Sequence, residues 1–191
     1  MDNDIVPVAL EKAYRLLNLG ATSIVSAEFG GESDAMPAAW TCPLSMEPFR
    51  AAAVVDGPHF TRRLIDESGM FALQLPTAGI ARATLALGSV SKNDDPAKLE
   101  KSGARFFFAD GFRLPLVEGC AGWMIFKVVP GEERNAKAHD LIIGECVAAW
   151  ADARVFANGH WQFEKAPPSL RTLHYVAGQH FYAIGEAVNL D

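Results

Sequence analysis

Runs of apolar, β-branched and aromatic residues, each cut short by Gly, Pro or Asp, limit more than any other feature what this chain can fold into. They are SIVSAEF at 23–29, the segment around Ala38 to Cys42, FRAAAVV at 49–55, MFALQLP at 70–76, ARFFFA at 104–109, CAGWMIFKVV at 120–129 and LIIGECVAAWADARVF at 141–156. Each predicts a strand. Between them lie only short helical pieces: LEKAYRLLN at 10–18, residues 58–67, AGIARATLAL at 78–87, and DPAKLEKSG at 95–103, where Asp95, Pro96 and Gly103 give start and stop signals. The most polar stretches, 28–35, 91–96 and 130–140, read as loops. Strands do not alternate with long helices and there is no G-x-G-x-x-G, which argues against a doubly wound nucleotide fold. The expectation is a mainly β chain with short helices, closed as a barrel or sandwich.

Ile142, Ile143, Cys146, Val147 and Trp150 place apolar side chains on both faces of one strand. Such a strand is covered twice, by helices or by a second subunit. A barrel whose outer wall forms part of a homodimer interface is expected. With 191 residues, half of them hydrophobic and 21% charged, the chain suits one well-buried domain. A formal charge of −6 without long runs argues against nucleic acid as a partner, since a phosphate backbone calls for a basic face.

No apolar run reaches the roughly 20 residues of a membrane helix, and the acidic start MDNDIVPVALEK lacks a signal-peptide pattern. Cys42, Cys120 and Cys146 lie in apolar surroundings without C-x-x-C spacing, as reduced thiols do. A cytoplasmic protein without membrane partners is expected. His59, His139, His160, His174 and His180 form no metal-binding pattern, and no G-x-S-x-G elbow occurs. No metal site is expected.

The functional signal lies in AMPAAWTCPLSMEPFR at 35–50 and DGPHFTRRLI at 56–65. The first reads as a small-residue strand against which a flat group can lie, then a polar turn and another strand. The second reads as a helix start, with Asp56 as capping carboxylate, Pro58 at the entry and Gly69 as the stop. Its first amides lack intrahelical partners and meet the positive end of the helix dipole, so a phosphate could bind there with Thr61, His59 and Arg62. The same residues also read as an ordinary capped amphipathic helix with solvated arginines.

The ordered blocks NLGATSIVSAE, DAMPAAWTCPLSMEPF, VVDGPHFTRRLIDESGMFALQLP, LGSVSKNDDPAKLEKSG, AHDLIIGECVAA and LHYVAGQHFYAIGE resemble the flavin reductase-like family, which includes flavoredoxins. The resemblance implies a single-domain, FMN-binding split β-barrel. It implies FMN with its ring against Ala38, Ala39, Trp40, Thr41 and Cys42, and its ribityl chain near Met36 and Ser45, although Met36 is equally a core residue. Phosphate and ribityl groups would be held by the loop from Asp56 through His59 and Phe60 to Thr61. Ser89 and Ser91 with Lys92 resemble the family's small-residue loop near the cofactor, or form a solvent-facing turn. His139 would approach the flavin and stabilise its anionic reduced form.

Two departures from the family pattern bear on this. Ala138 precedes His139 where Asp is common, with Asp140 after it, and Gln179 and His180 stand where Gly and Arg are common. By the resemblance, FMN would carry hydride from NADH or NADPH to free flavin or another acceptor, with no side chain as acid or base. An FMN-binding electron carrier without turnover, and a barrel binding another small ligand, are the alternatives.

Overall fold

The computed structural model describes residues 20–188 and 190. The strands are β1 (Ser23–Phe29), β2 (Glu32–Ala38), β3 (Thr41–Met46), β4 (Phe49–Val54), β5 (Met70–Pro76), β6 (Phe106–Phe107), β7 (Leu116–Val117), β8 (Cys120–Val128), β9 (Leu141–Ala151), β10 (Phe156–Ala157), β11 (His160–Trp161), β12 (Leu173–Ala177) and β13 (His180–Ala183). The helices are α1 (Phe60–Ser68), α2 (Ala81–Leu87), α3 (Lys98–Lys101) and α4 (Glu133–His139). Seven strands form one antiparallel sheet in the order β2-β1-β5-β8-β9-β4-β3.

The chain runs directly from one edge strand, β2, to the other, β3, through Ala39 and Trp40. The sheet is therefore curled until its edges approach. One bond crosses between them: the hydroxyls of Ser23 on β1 and Thr41 on β3 lie 2.9 Å apart, while the Val54 amide donates to the Trp40 carbonyl at 3.0 Å and extends the β3–β4 ladder toward the crossing. This is a barrel split at the seam between β2 and β3.

Val25, Ala53, Leu64, Phe71, Phe126 and Ile142 fill the interior with their neighbours. Phe71 and Phe126 stack at 5.2 Å between centroids. A Cβ at Gly144 would come within 2.6 Å of the Phe71 ring, so this position on β9 admits only a hydrogen. Helix α1 turns Leu64 and Ile65 inward, each worth roughly 1.5–3 kcal/mol of burial. It ends at Gly69, whose φ of 66° is the left-handed conformation that favours glycine there.

Several expectations shift. The segment from Ala38 to Cys42 is not one strand: it breaks at Ala39 and Trp40, because the chain there crosses from one sheet edge to the other. The strand expected at 104–109 shrinks to Phe106 and Phe107, and the long run at 141–156 ends at Ala151, where the Asp152 carbonyl starts a turn. The expected loop at 28–35 is a tight hairpin, with Gly30 and Gly31 at positive φ and β2 beginning at Glu32. The expected loop at 130–140 contains α4. The helix expected at 10–18 lies outside the described residues.

The outer face of β5 and β8 is covered by the chain itself. Leu114 and Leu116 pack on Ala72 and Ile125, while Phe163, Leu170 and Val155 pack on Ala121. Val147 and Trp150 of β9 and Leu44 and Met46 of β3 remain exposed.

Candidate functional site

A cavity of about 400 Å³ opens beside the seam, within the range of small-molecule sites. Met36, Pro37, Ala38 and Ala39 at the end of β2 form one wall, and His59 and Phe60 at the start of α1 form another. Leu85, Leu87 and the turn Gly88 to Ser91 after α2 form the third, and Tyr175 and Phe181 of the β12–β13 hairpin close it. A smaller recess of about 250 Å³ shares Met36, Ala38, Ala39, His59 and Tyr175 and extends to Trp40 and Asp56.

The walls are mostly apolar, and the polar lining residues come from several elements, His59 at the start of α1 and Ser89 and Ser91 after α2 among them. His59, not Asp56, is the residue that enters the helix, and its side chain makes no capping bond. Asp56 acts through its backbone carbonyl, which accepts the His59 amide at 3.0 Å. That contact sets the turn, and Asp56 itself is exposed and lines the recess. His59 Nδ1 is buried and lacks a hydrogen-bond partner among the described residues, and the first amides of α1 have no intrahelical acceptor. An anionic group at this point would satisfy both.

Asp34 and Lys98 also line the cavity. Their side chains are 2% and 3% exposed, and Lys98 Nζ lies 3.0 Å from Asp34 Oδ1. Thr61 is fully buried, and its hydroxyl donates to Asp34 Oδ2 at 2.7 Å.

The structure brings together Met36, Ala38, Ala39, His59, Phe60, Ser89 and Ser91 around the cavity, with Trp40 and Asp56 at the recess. The other positions named from the sequence do not line either space. Thr41 bonds Ser23 across the seam, Cys42 is exposed on β3, and Ser45 donates to the Pro48 carbonyl at 2.6 Å within the β3–β4 turn. The Lys92 ammonium donates to the Ser33 carbonyl and lies 5.2 Å from the centroid of the Phe60 ring. His139 is exposed at the end of α4. Within the lining, the Ser89 hydroxyl donates to the Leu85 carbonyl at 2.8 Å, and the Ser91 hydroxyl accepts the Asn93 amide at 3.2 Å.

Asp34, Lys98, Tyr175 and Phe181 are lining residues that sequence reasoning missed. Each stands inside one of the quoted blocks, but nothing in residue type or spacing singles it out. Among the described residues, no group of three His, Cys, Asp or Glu could hold a metal ion, and no helix is long and apolar enough to cross a membrane.

Residues 19–189 match the flavin reductase like domain. The chain belongs to the flavin reductase-like family. It is 46% identical, over the whole of both chains and with a TM-score of 0.87, to the FMN-binding domain of a flavin reductases-like enzyme from Shewanella baltica OS155. It is 38% identical over 186 residues to protein YddH of Escherichia coli K12, covering 96% of each chain. The flavoredoxin of Desulfovibrio vulgaris Miyazaki F shares the fold at 18% identity, with a TM-score of 0.75 over the whole of this chain and 96% of its own.

For a flavin reductase-like chain, the sequence blocks now have positions. Those around 34–49 and 54–76 supply the two walls nearest the seam, the 87–103 block supplies the third wall and Lys98, and the C-terminal block supplies the closing hairpin.

Proposed function

We propose that this flavin reductase-like protein holds FMN in the cavity beside the seam and uses it to pass hydride or electrons from NADH or NADPH to free flavin or another acceptor. The observation that carries this reading is the pairing of apolar, small-residue walls with a buried, unpartnered His59 Nδ1 at a helix start. Those features fit the parts of FMN: a flat ring for the Ala38 and Ala39 wall, and an anionic phosphate for the start of α1. Bound FMN supplies a carrier for hydride and single electrons.

The chain's own residues bind and orient. Ala38 and Ala39, without long side chains, allow close approach to the end of β2. Phe60, Leu85 and Leu87 exclude water from the walls. The Gly57 amide donates to Asp140 Oδ1 at 3.0 Å, which fixes the loop presenting His59 and Phe60. No acid–base residue is required, because hydride transfer is the cofactor's chemistry.

We further infer a homodimer. Trp40, which lines the recess, and Leu44 and Met46 on the edge strand β3 have exposures of 55%, 50% and 95%, and a second copy laid on this edge would bury them. Three free cysteines agree with a reducing, cytoplasmic location.

The deciding measurement is an absorbance spectrum of the freshly purified protein, followed by NADH under nitrogen. Flavin bands that bleach support the reductase. Bands that persist with both NADH and NADPH favour a bound electron carrier, and a colourless chain that FMN cannot reconstitute overturns the reading.

A further inference from the structure

We propose that Lys98 supplies the positive charge that meets the cofactor's phosphate and that Asp34 and Thr61 position it, an assignment that rests on the FMN reading above. Lys98 is the one Lys or Arg among the described residues lining the cavity. The cations nearer the start of α1 in sequence are engaged elsewhere. Lys92 is held on the Ser33 carbonyl. Arg62 bonds Asp66 at 2.9 Å, the Val55 carbonyl at 2.8 Å and Asp140 at 3.3 Å. Arg63 pairs with Glu32 at 2.9 Å and lies 4.4 Å from the centroid of the Phe60 ring.

Lys98 differs from these in burial and in tether. Its ammonium spans both oxygens of Asp34, at 3.0 Å and 3.2 Å, and Asp34 is bound in turn by the hydroxyl of Thr61 in the first turn of α1. Through this chain the cation is tied to the same helix start that presents unpaired amides and His59 Nδ1. An ammonium carries three N–H donors, and the one well-directed bond it makes to the carboxylate is to Oδ2, which leaves donors for an acceptor in the cavity. Asp34 Oδ1, although near the ammonium, receives no well-directed hydrogen bond, so the carboxylate is not saturated by its present partners. A phosphate in a partly closed cavity without a facing cation would carry an unrelieved desolvation cost. Lys98 removes it.

The test titrates FMN and riboflavin separately into the wild type and into the Asp34→Asn, Lys98→Met double variant, following flavin fluorescence. The double variant avoids leaving a buried carboxylate unpaired, and a thermal melt reports whether it folds. The expected result is a ten- to hundredfold weaker Kd for FMN, the scale of one charge-assisted hydrogen bond, with riboflavin changed by less than about twofold. Lys101→Met on the same helix, whose lysine pairs with the surface Asp95 at 2.7 Å, is expected to change neither constant. Equal losses for both flavins, or no loss, would overturn the assignment. If the double variant does not fold, Lys98→Gln, which can still hydrogen-bond Asp34, is read in the same way. A wild type that binds neither flavin overturns the FMN reading itself.

Discussion

The carboxylate of Asp140 accepts the amide of Gly57 at 3.0 Å across 83 residues of chain, and the same oxygen lies 3.3 Å from Arg62 Nη1. Asp140 sits in the left-handed conformation between α4 and β9, with φ at 52°, and its carbonyl accepts the Val55 amide at 3.0 Å. One residue therefore ties the end of β4, the loop before α1 and the start of β9 together. Asp140→Ala is expected to cost about 1–3 kcal/mol by leaving the largely buried Arg62 short of a partner, and to weaken ligand binding through loss of the loop's shape. Asp140→Asn keeps an acceptor oxygen and should recover most of the binding. Urea unfolding and flavin titration of both variants check this.

Gly144 faces the stacked rings of the interior. A Cβ there would lie 2.6 Å from Phe71 and 2.7 Å from the Cβ of Phe126, which is backbone-proximal and cannot swing away. Gly144→Ala is therefore expected to destabilise the fold by about 1–3 kcal/mol through overpacking, despite alanine's better strand propensity. A lower urea midpoint with an unchanged slope is the expected signature.

The three thiols should separate by reactivity. Cys42 is exposed on β3, whereas Cys120 is buried, and desolvation lifts its thiol far above the ordinary range. Cys146 is half-buried and also raised by desolvation, partly offset by a backbone hydrogen bond at Ala148. A thiol reagent at mildly alkaline pH should label Cys42 first, Cys146 slowly, and Cys120 only on unfolding. Rapid labelling of Cys120 in the folded protein would contradict this packing.

Asp152 provides a pH-dependent contribution. The Arg154 guanidinium, bonded through Nε at 2.9 Å, holds its carboxyl below the usual range more strongly than burial raises it. A carboxylate depressed on folding stabilises the native state fully above its unfolded value of about 3.9, and that contribution fades as pH falls through the lower folded value. Asp152→Asn should therefore narrow the gap in stability between pH 7 and pH 3. Melting temperatures of both proteins across that range measure it.

The local periods of the sequence determined a great deal. β1, β5 and α1 were legible within a residue or two, because alternation or helical spacing, ended by Gly or Pro, is written in adjacent positions. The small residues Ala38 and Ala39 and a helix start shortly after Asp56 were likewise visible as a pair of features suited to a flat anionic ligand, although the cap falls on His59 rather than Asp56. Only the tertiary structure decided which polar groups face that space. Thr41 and Thr61 carry the hydroxyls that sequence reading assigned to a ligand, yet Ser23 and Asp34, distant in sequence, hold them. Lys98 and Asp34 meet only because the curled sheet brings β2 against α3. Hydrogen-bond partnership and burial depend on contacts across the seam, and no local pattern encodes those contacts.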